Sequence, residues 1–138
     1  MKHKLVVGRR GKKKGGETPL IGTPLVGRSK ERLLTEVASI LVKKPDLVEW
    51  RADYFKAVAD KAAVLDTARA LRAACGTLPL VFTCRSSKEG GQPIAIDDEQ
   101  VVELYAAVSA SRLVDFVDFE LENDVRLVQR VRESAHAN

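Results

Sequence analysis

Asp46-Leu47-Val48-Glu49-Trp50-Arg51-Ala52-Asp53 begins as an apolar strand and ends as a cluster of charge. Alternate residues of a strand face opposite ways, so Glu49 and Arg51 share one face and Trp50 takes the other. Helical patterns flank the strand. Upstream, Ser29 can cap a helix whose apolar positions Leu33, Leu34, Val37, Ile40 and Leu41 recur at helical spacing, with Pro45 ending it. Downstream, an Ala-rich helix is predicted across 58–74, with Val64, Leu65 and Leu71 inside and Gly76 just past its end.

The same rhythm repeats outward from this strand. Leu20-Ile21-Gly22-Thr23-Pro24-Leu25-Val26 reads as a strand stopping at Gly27, and Pro79-Leu80-Val81-Phe82-Thr83-Cys84 as a third, almost wholly apolar one. Asp97 with Gln100 three residues on resembles a capping box for a helix over 99–109. Val114-Asp115-Phe116-Val117-Asp118-Phe119 reads as a fourth strand, after which Asn123 can cap a last helix containing Val125, Leu127, Val128 and Val131. Strands therefore start near residues 20, 46, 79 and 114, each followed by a helix. That period matches βα units of roughly 30 residues, whose right-handed crossovers build a parallel sheet. The class is α/β; the period alone does not distinguish a flat sheet from an arc of a barrel.

The 138 residues suffice for one domain with a real core, and 45% apolar with 30% charged residues is a soluble globular composition. Aromatics make up only 5%, so the core is expected to rest on Val, Leu, Ile and Ala. No apolar run approaches the ~20 residues that span a bilayer, and Leu5-Val6-Val7 is too short for a signal-peptide core. A cytoplasmic location with no membrane contact is expected. Cys75 and Cys84 suggest neither a disulfide framework nor a zinc site, and no metal is expected. The net charge of +4 is unevenly placed: residues 1–16 hold seven of the 23 basic residues and no acid, which leaves 16 basic against 19 acidic residues elsewhere. Residues 1–17 are set apart as a basic N-terminal hairpin or tail, with 8–16 read as a solvated loop, and 18–138 as the βα domain. With no interleaved aromatics and no recognition helix, the basic segment does not indicate a nucleic-acid partner.

Candidate chemistry lies at two strand ends. Parallel strands present ligands at their C-terminal ends, and Glu49, Arg51 and Arg85 all fall there. Burying charge within an apolar strand is costly without a partner or a purpose. Glu49 and Arg51 could form a structural ion pair at the sheet edge, or divide a polar substrate between them. Arg85 opens a loop containing Gly90-Gly91, which can close over a ligand or be ordinary surface. Ser86, Ser87 and Lys88 form no catalytic dyad, and His3 and His136 are poorly placed for general-base work. Neither a Walker loop nor a GxGxxG motif is present, so no cofactor is expected.

Thr23-Pro-Leu-Val-Gly27, Asp46-Leu-Val-Glu-Trp-Arg-Ala-Asp53, Phe82-Thr-Cys-Arg-Ser-Ser-Lys-Glu-Gly-Gly91 and Val114-Asp-Phe-Val-Asp-Phe-Glu-Leu121 together resemble type I 3-dehydroquinate dehydratase, a lyase of the shikimate pathway of aromatic amino acid biosynthesis. The resemblance spans roughly residues 18–138. It implies a TIM-type (βα)8 barrel with an N-terminal hairpin, of which this chain would supply the first four βα units, a half-barrel. It further implies that Glu49, Arg51 and Arg85 bind the carboxylate-bearing 3-dehydroquinate, and that Glu89 orients a catalytic histidine. In the family a lysine forms a Schiff base with the substrate ketone and the histidine removes a proton before water leaves, giving 3-dehydroshikimate. Both residues follow the last helix in relatives. Lys88 resembles an accessory loop lysine, and His136 does not match the catalytic position. Cys84 stands where relatives usually carry an aromatic, which should loosen local packing.

The expectation is thus a truncated half that binds substrate without turning it over alone. Two alternatives stay open. One is a half-enzyme completed as a homodimer or by a complementary half-barrel chain. The other is a non-catalytic module binding a small anion.

Overall fold

The computed structural model describes residues 18–138 in full, together with the backbone of the strands Val6–Arg9 and Lys12–Gly15. Those two strands, β1 and β2, pair antiparallel with Val6 opposite Gly15 and Arg9 opposite Lys12. Gly8, Arg9 and Lys12–Gly15 were expected in a solvated loop, yet they lie in a hairpin ladder. Glycine and like charge lower strand propensity without abolishing backbone pairing. The rest of the loop reading, and the placement of His3, lie outside the described residues.

The body alternates strictly: β3 (Gly22–Leu25), α1 (Lys30–Leu41), β4 (Leu47–Arg51), α2 (Lys61–Cys75), β5 (Leu80–Thr83), α3 (Asp98–Ser111), β6 (Phe116–Asp118), α4 (Val125–His136). The four strands are parallel and lie in chain order, β3-β4-β5-β6. Each helix packs against the next, α1 on α2, α2 on α3 and α3 on α4. The helices therefore form one layer on one face of the sheet. A doubly wound sheet would put helices on both faces; this singly wound arrangement is an α/β half-barrel.

Local signals place most boundaries. Ser29 caps α1 by accepting the Arg32 N–H at 3.2 Å. Asp97 and Gln100 form the expected capping box, with Gln100 N–H donating to Asp97 at 2.8 Å and the Asp97 N–H to Gln100 Oε1 at 3.0 Å. Gly76 ends α2 at φ +58°, a conformation glycine adopts without strain. Two expectations need correction. Helix α2 begins at Lys61 rather than near Val58, because residues Ala52–Tyr54 turn as a 3₁₀ segment and Asp60 accepts the N–H groups of Ala62 and Ala63. The cap of α4 is Asp124, which accepts the Arg126 N–H at 2.8 Å. Asn123 instead donates its side-chain amide to Glu120.

The core lies between sheet and helices. Leu25, Val48, Trp50, Leu80 and Phe82 face Leu33 and Val37 of α1, Val64, Ala68 and Leu71 of α2, and Val102, Tyr105 and Val108 of α3. Aromatics are few but not peripheral. Phe55, Trp50, Phe82, Tyr105 and Phe119 stack edge to face in one continuous row, with centroids 5.1–5.7 Å apart. Each such contact adds roughly 0.5–1.5 kcal/mol beyond its buried area. Trp50, Tyr105 and Phe82 are the largest fully buried side chains, so the expectation of a mainly aliphatic core is incomplete.

The other sheet face carries the charged side chains. Pairing register puts Pro24, Glu49 and Val81 in one row across it, and Arg51, Thr83 and Asp118 in the next. Glu49 and Arg51 are half-buried, whereas Trp50 between them is fully buried on the helix side.

Candidate active-site face

The C-terminal ends of β4, β5 and β6 bring together side chains far apart in sequence. Arg51, the last residue of β4, reaches Asp53 with two parallel hydrogen bonds, Nε to Oδ1 and Nη2 to Oδ2, both 2.9 Å. Of the two readings left open for Glu49 and Arg51, the ion pair between them does not form. The two share a face and an attraction, but the bidentate partner is Asp53, whose geometry matches the guanidinium fork. The Glu49 carboxylate is half-buried and makes no hydrogen bond or ion pair to a described residue.

Arg85 begins the loop after β5. Its backbone N–H donates to Asp53 Oδ1 at 3.3 Å, and its Nη2 donates to Asp118 Oδ2 on β6 at 2.8 Å. Glu120 lies 3.9 Å from its Nε and accepts the Ser86 N–H at 2.7 Å. Glu49, Arg51 and Arg85 are thus brought to one rim of the sheet. Glu89 closes a 3₁₀ turn (Ser87–Glu89) in the same loop, its N–H donating to the Ser86 carbonyl at 3.1 Å; its side chain is exposed and makes no hydrogen bond or ion pair to a described residue. Lys88 beside it is exposed, as is His136 at the end of α4, more than forty residues further along the chain.

Burial opposes the charge of Asp53. The Arg51 hydrogen bonds and the N–H groups of Gln92 and Arg85 outweigh it and hold the carboxyl below the usual aspartate range. The same bonds raise Arg51 above the ordinary arginine value. Burial pushes the Cys84 thiol up to about 12, so at neutral pH it is a buried thiol and no nucleophile. Cys84 is only 2% exposed. Behind it, the Tyr105 hydroxyl accepts the Cys84 N–H at 2.8 Å and donates to the Asp118 carbonyl at 2.6 Å. The aromatic row of the core is thereby tied to the two strand ends that carry Arg85 and Asp118.

Sequence reading placed Glu49, Arg51 and Arg85 at one rim but missed their carboxylate partners. Asp53 was legible in part, since a buried acid two residues past an arginine can fold back on it. Asp118 and Glu120 lie more than thirty residues from Arg85, and only strand order makes them neighbours. One hollow of about 420 Å³ lies at the opposite end of β6 by Arg112 and Asp115, one of about 340 Å³ beside Gly27 and Lys56, and one of about 230 Å³ against the 85–92 loop, lined by Cys84, Ser86, Lys88 and Gln92. The charged rim is an open face, as an arc of a barrel leaves its inner wall. Among the described residues no group of His, Cys, Asp or Glu is arranged to hold a metal, and no helix is long and apolar enough to cross a membrane.

Comparison with known proteins gives this geometry a setting. Residues 21–138 match the family model for type I 3-dehydroquinase. The chain is 44% identical over 124 residues to the 3-dehydroquinate dehydratase of Albidiferax ferrireducens, covering 90% of this chain and 47% of that protein. It is 47% identical over 116 residues to that of a Geobacillus species (strain WCH70), covering 84% and 45%. Among solved structures, the type I 3-dehydroquinate dehydratase of Clostridium difficile, with covalently modified comenic acid, superposes with a TM-score of 0.91 at 31% identity over 99% of this chain and 53% of that one. The Geobacillus kaustophilus enzyme gives 0.85 at 38% identity over 95% and 52%. The chain spans about half the length of the relatives it matches.

Proposed function

Because the chain belongs to the type I 3-dehydroquinase family, we propose that its charged rim is the substrate-binding wall of a 3-dehydroquinate dehydratase. In this reading Arg51 and Arg85 bind the carboxylate and hydroxyls of 3-dehydroquinate. Each retains nitrogens not consumed by Asp53 or Asp118, since guanidinium offers five donors. Glu49, whose carboxylate makes no hydrogen bond or ion pair to a described residue, accepts a substrate hydroxyl. Glu89 orients the family's histidine. Dehydration through a Schiff base needs that histidine and a lysine, for which residues 1–138 offer no candidate at the family's positions. Residues 1–138 by themselves therefore bind without turnover. The observation that carries the reading is the meeting, at the C-terminal ends of adjacent parallel strands, of Arg51, Arg85 and a Glu49 whose carboxylate makes no hydrogen bond to a described residue.

Calorimetric titration with 3-dehydroquinate tests it: heat is expected with the native chain and none with Arg51→Ala or Arg85→Ala. No heat from the native chain at millimolar ligand contradicts it. Borohydride added to the mixture, read by intact mass, is expected to trap no adduct; an adduct would show a Schiff-base lysine within 1–138.

A second reading, activity completed by another half-barrel, is favoured by the edges. β3 and β6 end the described sheet, and Ile21 and Phe116 beside them are 68% and 39% exposed. Unpaired edges and apolar surface invite another chain. We propose a homodimer or a complementary half as that partner. A dimer in light scattering is expected, and a well-behaved monomer contradicts it.

A further inference from the structure

The residue that the two arginines share has no role in the reading so far. The Asp53 side chain is 0% exposed, yet its two oxygens take four donors. Arg51 supplies Nε and Nη2 at 2.9 Å each, and the backbone supplies Arg85 N–H at 3.3 Å and Gln92 N–H at 3.0 Å. Arg85 and Gln92 are the two stems of a single loop, and Glu89 lies within it. The stems touch: Gly91 N–H donates to the Ser86 carbonyl at 2.8 Å, and a Cβ on Gly91 would lie 2.0 Å from the Arg85 carbonyl oxygen. Only glycine fits there. One buried carboxylate therefore fixes an arginine on β4 and closes the neighbouring loop at its base.

We propose that Asp53 is a positioning residue of the substrate face: it fastens Arg51 and both stems of the 85–92 loop, and so sets where Arg51, Arg85 and Glu89 stand relative to one another. With no exposed surface it does not touch a bound anion. It acts through the groups it holds. The inference rests on the proposed substrate face and adds a determinant that lies beneath it. A carboxylate is required because all four partners are donors; an asparagine keeps one acceptor oxygen and turns an NH₂ toward N–H groups.

The test is Asp53→Asn, read by amide hydrogen exchange and by 3-dehydroquinate binding. The variant is expected to speed exchange of the 85–92 amides by at least about tenfold while α1 and α3 exchange as in the native chain. A protected Arg51 Nε–H resonance is expected in the native protein and should be lost in the variant, and affinity should fall by roughly tenfold or more. Unchanged loop exchange with unchanged affinity overturns the inference. Should the variant not fold, the native protein decides: the Gln92 N–H and Arg51 Nε–H must resist exchange, and exchange at open-loop rates overturns the inference. If the native chain shows no affinity for 3-dehydroquinate, the proposed function falls, and loop exchange still decides what Asp53 holds.

Discussion

The two ends of the sheet each carry an arginine–aspartate pair, and the pairs differ in what they leave over. At the N-terminal end Arg72 of α2 turns to its own chain, although its buried Nε finds no hydrogen-bond partner among the described residues. Its Nη1 donates to Asp115 at 2.9 Å and its Nη2 to the carbonyls of Gly76 and Leu78, while Asp115 also accepts the Leu80 N–H at 2.8 Å. Both side chains are nearly buried, at 11% and 14% exposed. At the C-terminal end Arg51 and Arg85 are 19% and 28% exposed, each keeps free donors, and the Glu49 carboxylate beside them makes no hydrogen bond or ion pair to a described residue. A charge cluster that closes on itself stabilises a fold. One that stays partly unsatisfied at the tips of parallel strands is arranged to meet a ligand.

This contrast can be broken by substitution, and the largest effect belongs to the closed end. Arg72→Ala takes the guanidinium from Asp115, which keeps the Leu80 N–H, and removes the donor to two carbonyls, and should cost about 3 kcal/mol, the low end of the penalty for breaking a buried pair. Urea unfolding would show it as a lower midpoint with an unchanged slope. Next, Arg85→Ala should cost less than about 1 kcal/mol, since Asp118 remains 45% exposed to water, yet it should abolish the heat of 3-dehydroquinate binding. A loss of several kcal/mol there would make the two ends alike.

Acid sharpens the same distinction. Asp53 has a folded-state value below its ordinary one, so it contributes stability that is fully present above the unfolded value of about 4 and is lost as pH falls through the folded value. Native stability should therefore decline below pH of about 4, and Asp53→Asn, although less stable at pH 7, should lack that part of the decline. Equal acid slopes for the two proteins would contradict the assignment. The smallest effect is expected for Glu49→Gln. With no side-chain hydrogen bond or ion pair to a described residue to lose, stability should change by no more than about 0.5 kcal/mol, while binding weakens.

How much of this was legible follows the range of the interactions. Helix caps and stops are local, so Ser29, the Asp97–Gln100 box and Gly76 announced their elements directly. Where two neighbours could both cap, as Asn123 and Asp124 can, only the path of the chain chose between them. Alternation along one strand placed Glu49 and Arg51 on a common face. The partner of Arg85 came from the following strand and that of Arg72 from the bend before β6, 33 and 43 residues away, and both depend on strand order and register that no local pattern encodes. The aromatic row was missed because scarcity says how many rings there are, not that they touch.

The most direct measurement is a ¹⁵N-resolved titration of the native chain with 3-dehydroquinate. Saturable shifts confined to the amides of Glu49–Asp53, Arg85–Gln92 and Asp118–Glu120 are predicted, with Arg72 and Asp115 unmoved. Shifts centred on the Arg72–Asp115 end, or spread without focus over the surface, would contradict the claim that the strand tips form one anion-binding wall.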